Sequence, residues 1–165
     1  MREQVPPGTR LFIDSTIFIY HFTGGSPECR ALLERCERGS VKGVTSVVVL
    51  ADVAHRLMMI EALSRGLVSA GNLARKLREK PDVVRQLHAY HEQVERVPLM
   101  GVDVVDVGLG TLVRSAEVRR RHGLPTNDSL VVASARESGA AALASADAGF
   151  ERVADLRLYR PADVA

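Results

Sequence analysis

Short apolar runs that stop abruptly at polar residues punctuate the chain, and most are followed by helical spacing. Leu11-Phe12-Ile13 ends in Asp14-Ser15-Thr16, after which Ile17, Phe18 and Tyr20 continue in a helix-compatible pattern. This predicts a buried strand feeding a helix. Gly24, Gly25 and Pro27 break the chain, and residues 28–38 predict a second helix with Leu32, Leu33 and Cys36 on one side, closed by Gly39. Residues 41–45 predict a second strand, and Thr45-Ser46 supplies N-cap chemistry for a long apolar helix through about Arg65. Helices are predicted next over 69–79, ending before Pro81, and over 82–96, with Pro81 favouring the start. Residues 97–104 predict a third, partly irregular strand. Asp106 then opens a helix that Gly123 ends, residues 124–128 form a loop, and a further helix runs to Ser138 with Gly139 as its stop. Residues 141–145 and 156–159 predict two last short strands.

Strands alternating with helices, each link long enough for a crossover, imply an α/β fold: a mainly parallel central sheet flanked by helices on both faces, Rossmann-like and three-layered. The expectation is one domain over residues 1–165, with a polar lead-in at 1–10 and an extra helical excursion at 67–96. In open sheets of this kind ligands gather beyond the carboxyl ends of the strands. Asp14 and Asp147 each stand just after a predicted strand and are expected in one crevice.

Composition narrows the class. At 165 residues, 46% apolar and 25% charged, the chain suits a single globular core. A domain of this size buries roughly two-thirds of its unfolded surface, so neither disulfides nor a structural metal is needed for folding. Cys29 and Cys36 lie seven residues apart in one predicted helix, about 10 Å between Cα atoms, too far to bond to each other. With no other cysteine, no secretory h-region and no apolar run of membrane-spanning length, the expectation is a reduced, cytoplasmic protein. The net charge of +2 favours no partner class. Its distribution says more: Arg114, Arg119, Arg120, Arg121 and His122 crowd one stretch that either contacts phosphates or forms a solvated helix face.

Four carboxylates carry the chemistry, and each has a plain alternative. Asp14, straight after an apolar strand, is costly to desolvate unless a cation meets it, yet it also suits a helix cap. Asp52 is an isolated acid in Val47-Val48-Val49-Leu50-Ala51-Asp52-Val53-Ala54, where packing alone does not explain it. His55 shares its helix face and reads first as structural, second as a substrate contact. Asp128 begins an apolar helix, where the dipole favours an acid, and Asp147 equally suits a turn. Together they fall where one crevice can collect them. Oxygen-only ligands suit Mg²⁺ or Mn²⁺, and no Cys/His cluster has zinc spacing. A divalent ion relieves carboxylate repulsion, activates a water and stabilises phosphate charge, which implies phosphoryl or phosphodiester hydrolysis. Asp82 and Asp106 read as helix-start acids and Asp103 as an outward strand residue.

Four segments resemble those of the PIN-domain ribonucleases, in particular VapC-type toxins of toxin–antitoxin pairs. They are Phe12-Ile13-Asp14-Ser15-Thr16, the stretch from Thr45-Ser46 to Asp52-Val53-Ala54-His55, Leu124 through Asp128 into Leu130-Val131-Val132-Ala133-Ser134-Ala135, and Ser145-Ala146-Asp147-Ala148-Gly149-Phe150-Glu151-Arg152-Val153. The resemblance spans nearly the whole chain. It implies a metal-dependent endoribonuclease in which Asp14, Asp52, Asp128 and Asp147 are catalytic. Asp14 and Asp128 would be the principal metal ligands, Asp147 a ligand directly or through water, and Asp52 a ligand or water-orienting acid. Thr16 resembles the small hydroxyl residue that supports the first acid, though a helix-start threonine reads the same. His55, Arg114, Arg119, Arg120 and Arg121 become candidate RNA contacts, and an antitoxin protein and a second copy in a homodimer become expected partners. At the second acidic position the family usually has glutamate. Asp52 is shorter by one methylene, and Glu61, nine residues on, projects to nearly the opposite side of the helix.

Two competing readings remain at this point: a catalytically weak PIN-like RNA-binding or protein-interaction module, and a small nucleotide phosphohydrolase. The second lacks any glycine-rich phosphate loop or Gly-Lys-Ser/Thr signature.

Overall fold

Leu11, Phe12 and Ile13 are fully buried, because the strand they form is covered on both faces. A computed structural model describes residues 4–164 of the protein. Among them, β1 (Arg10–Ile13), β2 (Lys42–Ser46), β3 (Val102–Val105), β4 (Ala142–Ala144) and β5 (Arg157–Tyr159) form one sheet in the order β3-β2-β1-β4-β5. Every neighbouring pair is parallel. Parallel neighbours require crossovers. Helices α1 (Ser15–Phe22) and α2 (Pro27–Glu37) join β1 to β2, and α3 (Val47–Ser64), α4 (Leu73–Arg78), α5 (Pro81–Val84) and α6 (Ala89–Glu95) join β2 to β3. Helices α7 (Leu109–His122) and α8 (Thr126–Glu137) then lead to β4, giving the three-layer α/β fold that the alternating pattern implies.

Caps agree with the residue chemistry. Ser46 accepts the Val49 amide at the start of α3, Ser26 accepts the Cys29 amide at the start of α2, and Pro27 and Pro81 occupy first-turn positions. Gly101 has φ of 69° and lies so close to α2 that an added Cβ would sit 2.5 Å from the Cys36 carbonyl oxygen. No side chain is compatible with that turn.

Boundaries depart from the sequence pattern in the excursion. Gly71 and the left-handed Asn72 delay α4 to Leu73. The helix expected over 82–96 divides into α5 and α6 because the His88 and Tyr90 amides donate to the buried Glu61 carboxylate, at 3.2 and 3.0 Å, in place of helix carbonyls. A small separate core of Ala62, Val68, Leu77 and Leu87 supports these short helices. The irregular segment before β3 is a 3₁₀ turn at Pro98–Met100, α7 starts three residues after Asp106, and α8 starts two residues before Asp128. Of the polar lead-in, residues 1–3 lie outside the described residues. Val5 is 1% exposed, and its carbonyl accepts from Arg35 at 2.6 Å, so this segment contributes to the core.

Candidate active site

After β3 the chain returns to the middle of the sheet and adds β4 on the far side of β1, which makes the β1–β4 boundary the switch point of the topology. Asp14 follows β1 directly, its amide bonded to the Ala144 carbonyl at 3.0 Å, and Asp147 follows β4 by three residues. Helix α3 starts at the carboxyl end of β2 and carries Asp52 in its second turn, while α8 carries Asp128 in its first. All four acids line one crevice of about 230 Å³, together with Thr16, Arg56 and Asn127.

Two hydroxyls lock Asp14. Its Oδ2 accepts from Ser145 Oγ at 2.7 Å and from Thr16 Oγ1 at 2.8 Å, and it also caps α1 through the Thr16 amide at 3.4 Å. Each hydroxyl in turn accepts a backbone amide of the next loop, Asp147 on Ser145 at 3.0 Å and Ala146 on Thr16 at 2.9 Å. The first and last acids are therefore tied through shared hydroxyls. Asp14 Oδ1 has only a long contact, 3.5 Å from Ser15 Oγ. Asp14 is thus both the helix cap and the crevice acid. Asp147 uses its Oδ1 to accept the Gly149 amide at 2.7 Å.

Burial raises the Asp128 carboxyl above the usual range, and the charges of Asp147, Asp14 and Asp52 add to this in that order. Mutual repulsion is thus built into the crevice. Glu61 is elsewhere, on the opposite side of α3. Burial pushes its carboxyl up, but the Tyr90 and His88 amides and Arg65 outweigh this and hold it below the ordinary value.

His55 is exposed on α3 and does not line the crevice. Nor do the clustered arginines. Arg114 pairs with Glu137 at 2.7 Å, Arg120 with Glu117 at 2.6 Å, and Arg119 donates to Ser115 and Ser129. Arg121 is exposed at the end of α7. Sequence reasoning passed over three residues: Ser145, whose role depends on β1 lying beside β4, and Asn127 and Arg56, which line the crevice. Arg56 had a legible signal, its i+4 spacing from Asp52.

Among the described residues, no three His, Cys, Asp or Glu side chains are gathered closely enough to form a ready-made metal site. The donor chemistry nevertheless fits a hard divalent cation. The crevice's anionic donors are four carboxylates, with no Cys or His among its lining residues, and burial together with the neighbouring acids raises Asp128, a charge crowding that a cation relieves.

No curated protein sequence matches the chain. Solved structures do match in fold. VapBC2 from Rickettsia felis bound to a promoter DNA fragment superposes with a TM-score of 0.61 at 14% identity, over 93% of this chain and 99% of that one. VapC20 from Mycobacterium tuberculosis, described as a sarcin-ricin loop cleaving toxin, gives 0.60 at 18% identity over 92% and 99%. A toxin–antitoxin complex from Klebsiella pneumoniae gives 0.57 at 16% identity over 93% and 99%. The PIN domain model matches residues 11–156, from the first residue of β1 inside the core to the turn before β5, and so takes in all four crevice acids. By that match, and by the parallel sheet that brings those acids to its switch point, the chain belongs to the PIN domain family.

Proposed function

We propose that the protein is a Mg²⁺- or Mn²⁺-dependent endoribonuclease, the toxin of a toxin–antitoxin pair, acting in the cytoplasm as a homodimer. The observation that carries this reading is the single crevice lined by Asp14, Asp52, Asp128 and Asp147 in a PIN-domain chain. Asp14, Asp128 and Asp147 would hold the ion. A bound divalent ion supplies neutralisation of phosphate charge and a water acidified toward neutral pH.

The chain's own residues do the rest. Ser145 and Thr16 fix the orientation of Asp14 through Oδ2, which leaves Oδ1 with only the long Ser15 contact and available to an ion. Asp52 accepts a proton or orients a water on the opposite wall, reaching less far than a glutamate. Similarity to VapBC2, the Klebsiella toxin–antitoxin complex and the RNA-cleaving VapC20 supports RNA as substrate and an antitoxin as partner.

The test is cleavage of RNA by the purified protein with Mn²⁺. Asp14→Asn and Asp128→Asn should abolish it while leaving the circular dichroism spectrum intact, and unchanged cleavage in both removes the mechanism. A weakly catalytic RNA-binding or protein-interaction module is the second reading, favoured by the short Asp52 and by carboxylates that are not gathered in advance. Calorimetric titration with Mn²⁺ separates the two, since only the nuclease must bind the ion.

A further inference from the structure

Arg56 is the one basic side chain among the residues lining the acidic crevice. It lies four residues after Asp52 on α3, one turn further from the carboxyl end of β2. A helical side chain leans over the turn that precedes it, so the guanidinium of Arg56 is carried back toward Asp52 and the mouth of the crevice. His55, its neighbour, lies outside that lining.

Arg56 is also uncommitted. It makes no ion pair or side-chain hydrogen bond among the described residues, although four carboxylates line the same crevice. Other arginines are engaged: Arg160, just beyond the carboxyl end of β5, donates to Glu151 at 2.8 Å and to the Ala146 carbonyl at 3.2 Å. Arg114, Arg119 and Arg120 are held by Glu137, by Ser115 and Ser129, and by Glu117. An exposed guanidinium kept free at the edge of an acidic crevice is suited to an anion that the crevice would otherwise repel. Asn127, exposed on the α8 side and also lining the crevice, offers an amide donor across from it.

We propose that Arg56 is the phosphate-binding residue of this site, gripping a backbone phosphate of a single-stranded polynucleotide while the carboxylates face the scissile bond. This rests on the nuclease reading and deepens it by assigning the group that overcomes repulsion between substrate and acids. A planar fork can hold two phosphate oxygens at once, which an ammonium cannot, so lysine replaces it only in part.

The experiment compares wild type with Arg56→Ala and Arg56→Lys, using a fluorescein-labelled single-stranded RNA oligonucleotide. Binding is followed by anisotropy in EDTA between 50 and 200 mM NaCl, chosen so that no divalent ion contributes. Arg56→Ala should weaken binding by about tenfold and lower the slope of log affinity against log salt by about one, with Arg56→Lys intermediate. Lys80→Ala, which removes an exposed charge that is not part of the crevice lining, should change binding less than twofold. In Mn²⁺, the loss in Arg56→Ala should appear mainly in KM, with Mn²⁺ affinity by calorimetry unaltered. Equal affinity and equal salt slope in wild type and Arg56→Ala overturn the assignment, as does an effect no larger than that of Lys80→Ala. RNA binding that depends on Arg56 in a protein unable to cut leaves the inference standing and removes the nuclease reading. Cutting that is indifferent to Arg56 does the reverse.

Discussion

Ser145 donates its hydroxyl proton to Asp14 across the β1–β4 boundary at 2.7 Å, with Ser145 fully buried and Asp14 6% exposed. Substitution by alanine leaves Thr16 as the remaining hydroxyl donor to that oxygen and frees the Asp147 amide from its acceptor. Partners that orient metal-ligating carboxylates are typically worth about 10- to 100-fold in affinity or activity. Ser145→Ala should therefore lower RNA cleavage by about that factor and weaken Mn²⁺ binding in calorimetry, while Ser145→Thr, which retains the hydroxyl, should lose less.

Asp52 reaches into the crevice from α3 with one methylene fewer than glutamate. Asp52→Glu should tighten Mn²⁺ binding and keep or raise the cleavage rate, and Asp52→Asn should lower the rate. An isothermal titration and a single-turnover assay on each variant check this. A slower Asp52→Glu would mean that the carboxylate acts at the distance set by aspartate.

Glu61 ties α6 to α3 through the His88 and Tyr90 amides and Arg65. Hydrogen bonds to a buried charge are worth about 1.5–3 kcal/mol each, so Glu61→Gln should lower unfolding free energy by about 1–3 kcal/mol at neutral pH. The sign of the pH dependence follows from a carboxyl held below its ordinary value. Its contribution is fully present above the unfolded value of about 4.3 and is lost as pH falls through the lower folded value. Urea melts should show a constant gap between wild type and variant from pH 6 to 8 and a shrinking one below about pH 4.

Burial pushes the Cys36 thiol up to about 11 and raises Cys29 as well. Both are fully or almost fully buried. Thiolate is the reactive form, so iodoacetamide at pH 7.5 should label neither cysteine in the native protein and both after unfolding, as read by mass spectrometry.

Much of the architecture was legible because strand and helix periods differ sharply at β1, α2, α3 and α8, and because Asp14 and Asp147 end apolar runs. The excursion was less so. Hydrophobic spacing over 82–96 is continuous enough for one helix, but Glu61, far away in the chain, draws off the amides that would have continued it. Likewise the local basic run in α7 resembled a phosphate surface, whereas acids from α8 and from α7 itself neutralise part of it. Arg56 was overlooked because its one signal, the i+4 spacing from Asp52, singles out no function by itself. Its meaning comes from which wall α3 presents to the crevice.

The bond between Asp14 and Ser145 joins positions 131 residues apart, which has a consequence for synthesis. A ribosome releases Asp14 and Asp52 well before Asp128, β4 and the orienting hydroxyl emerge. An unfinished chain therefore carries some of the acids without the frame that aligns them. On the proposed nuclease reading, a nascent chain should cut no RNA before β4 is in place.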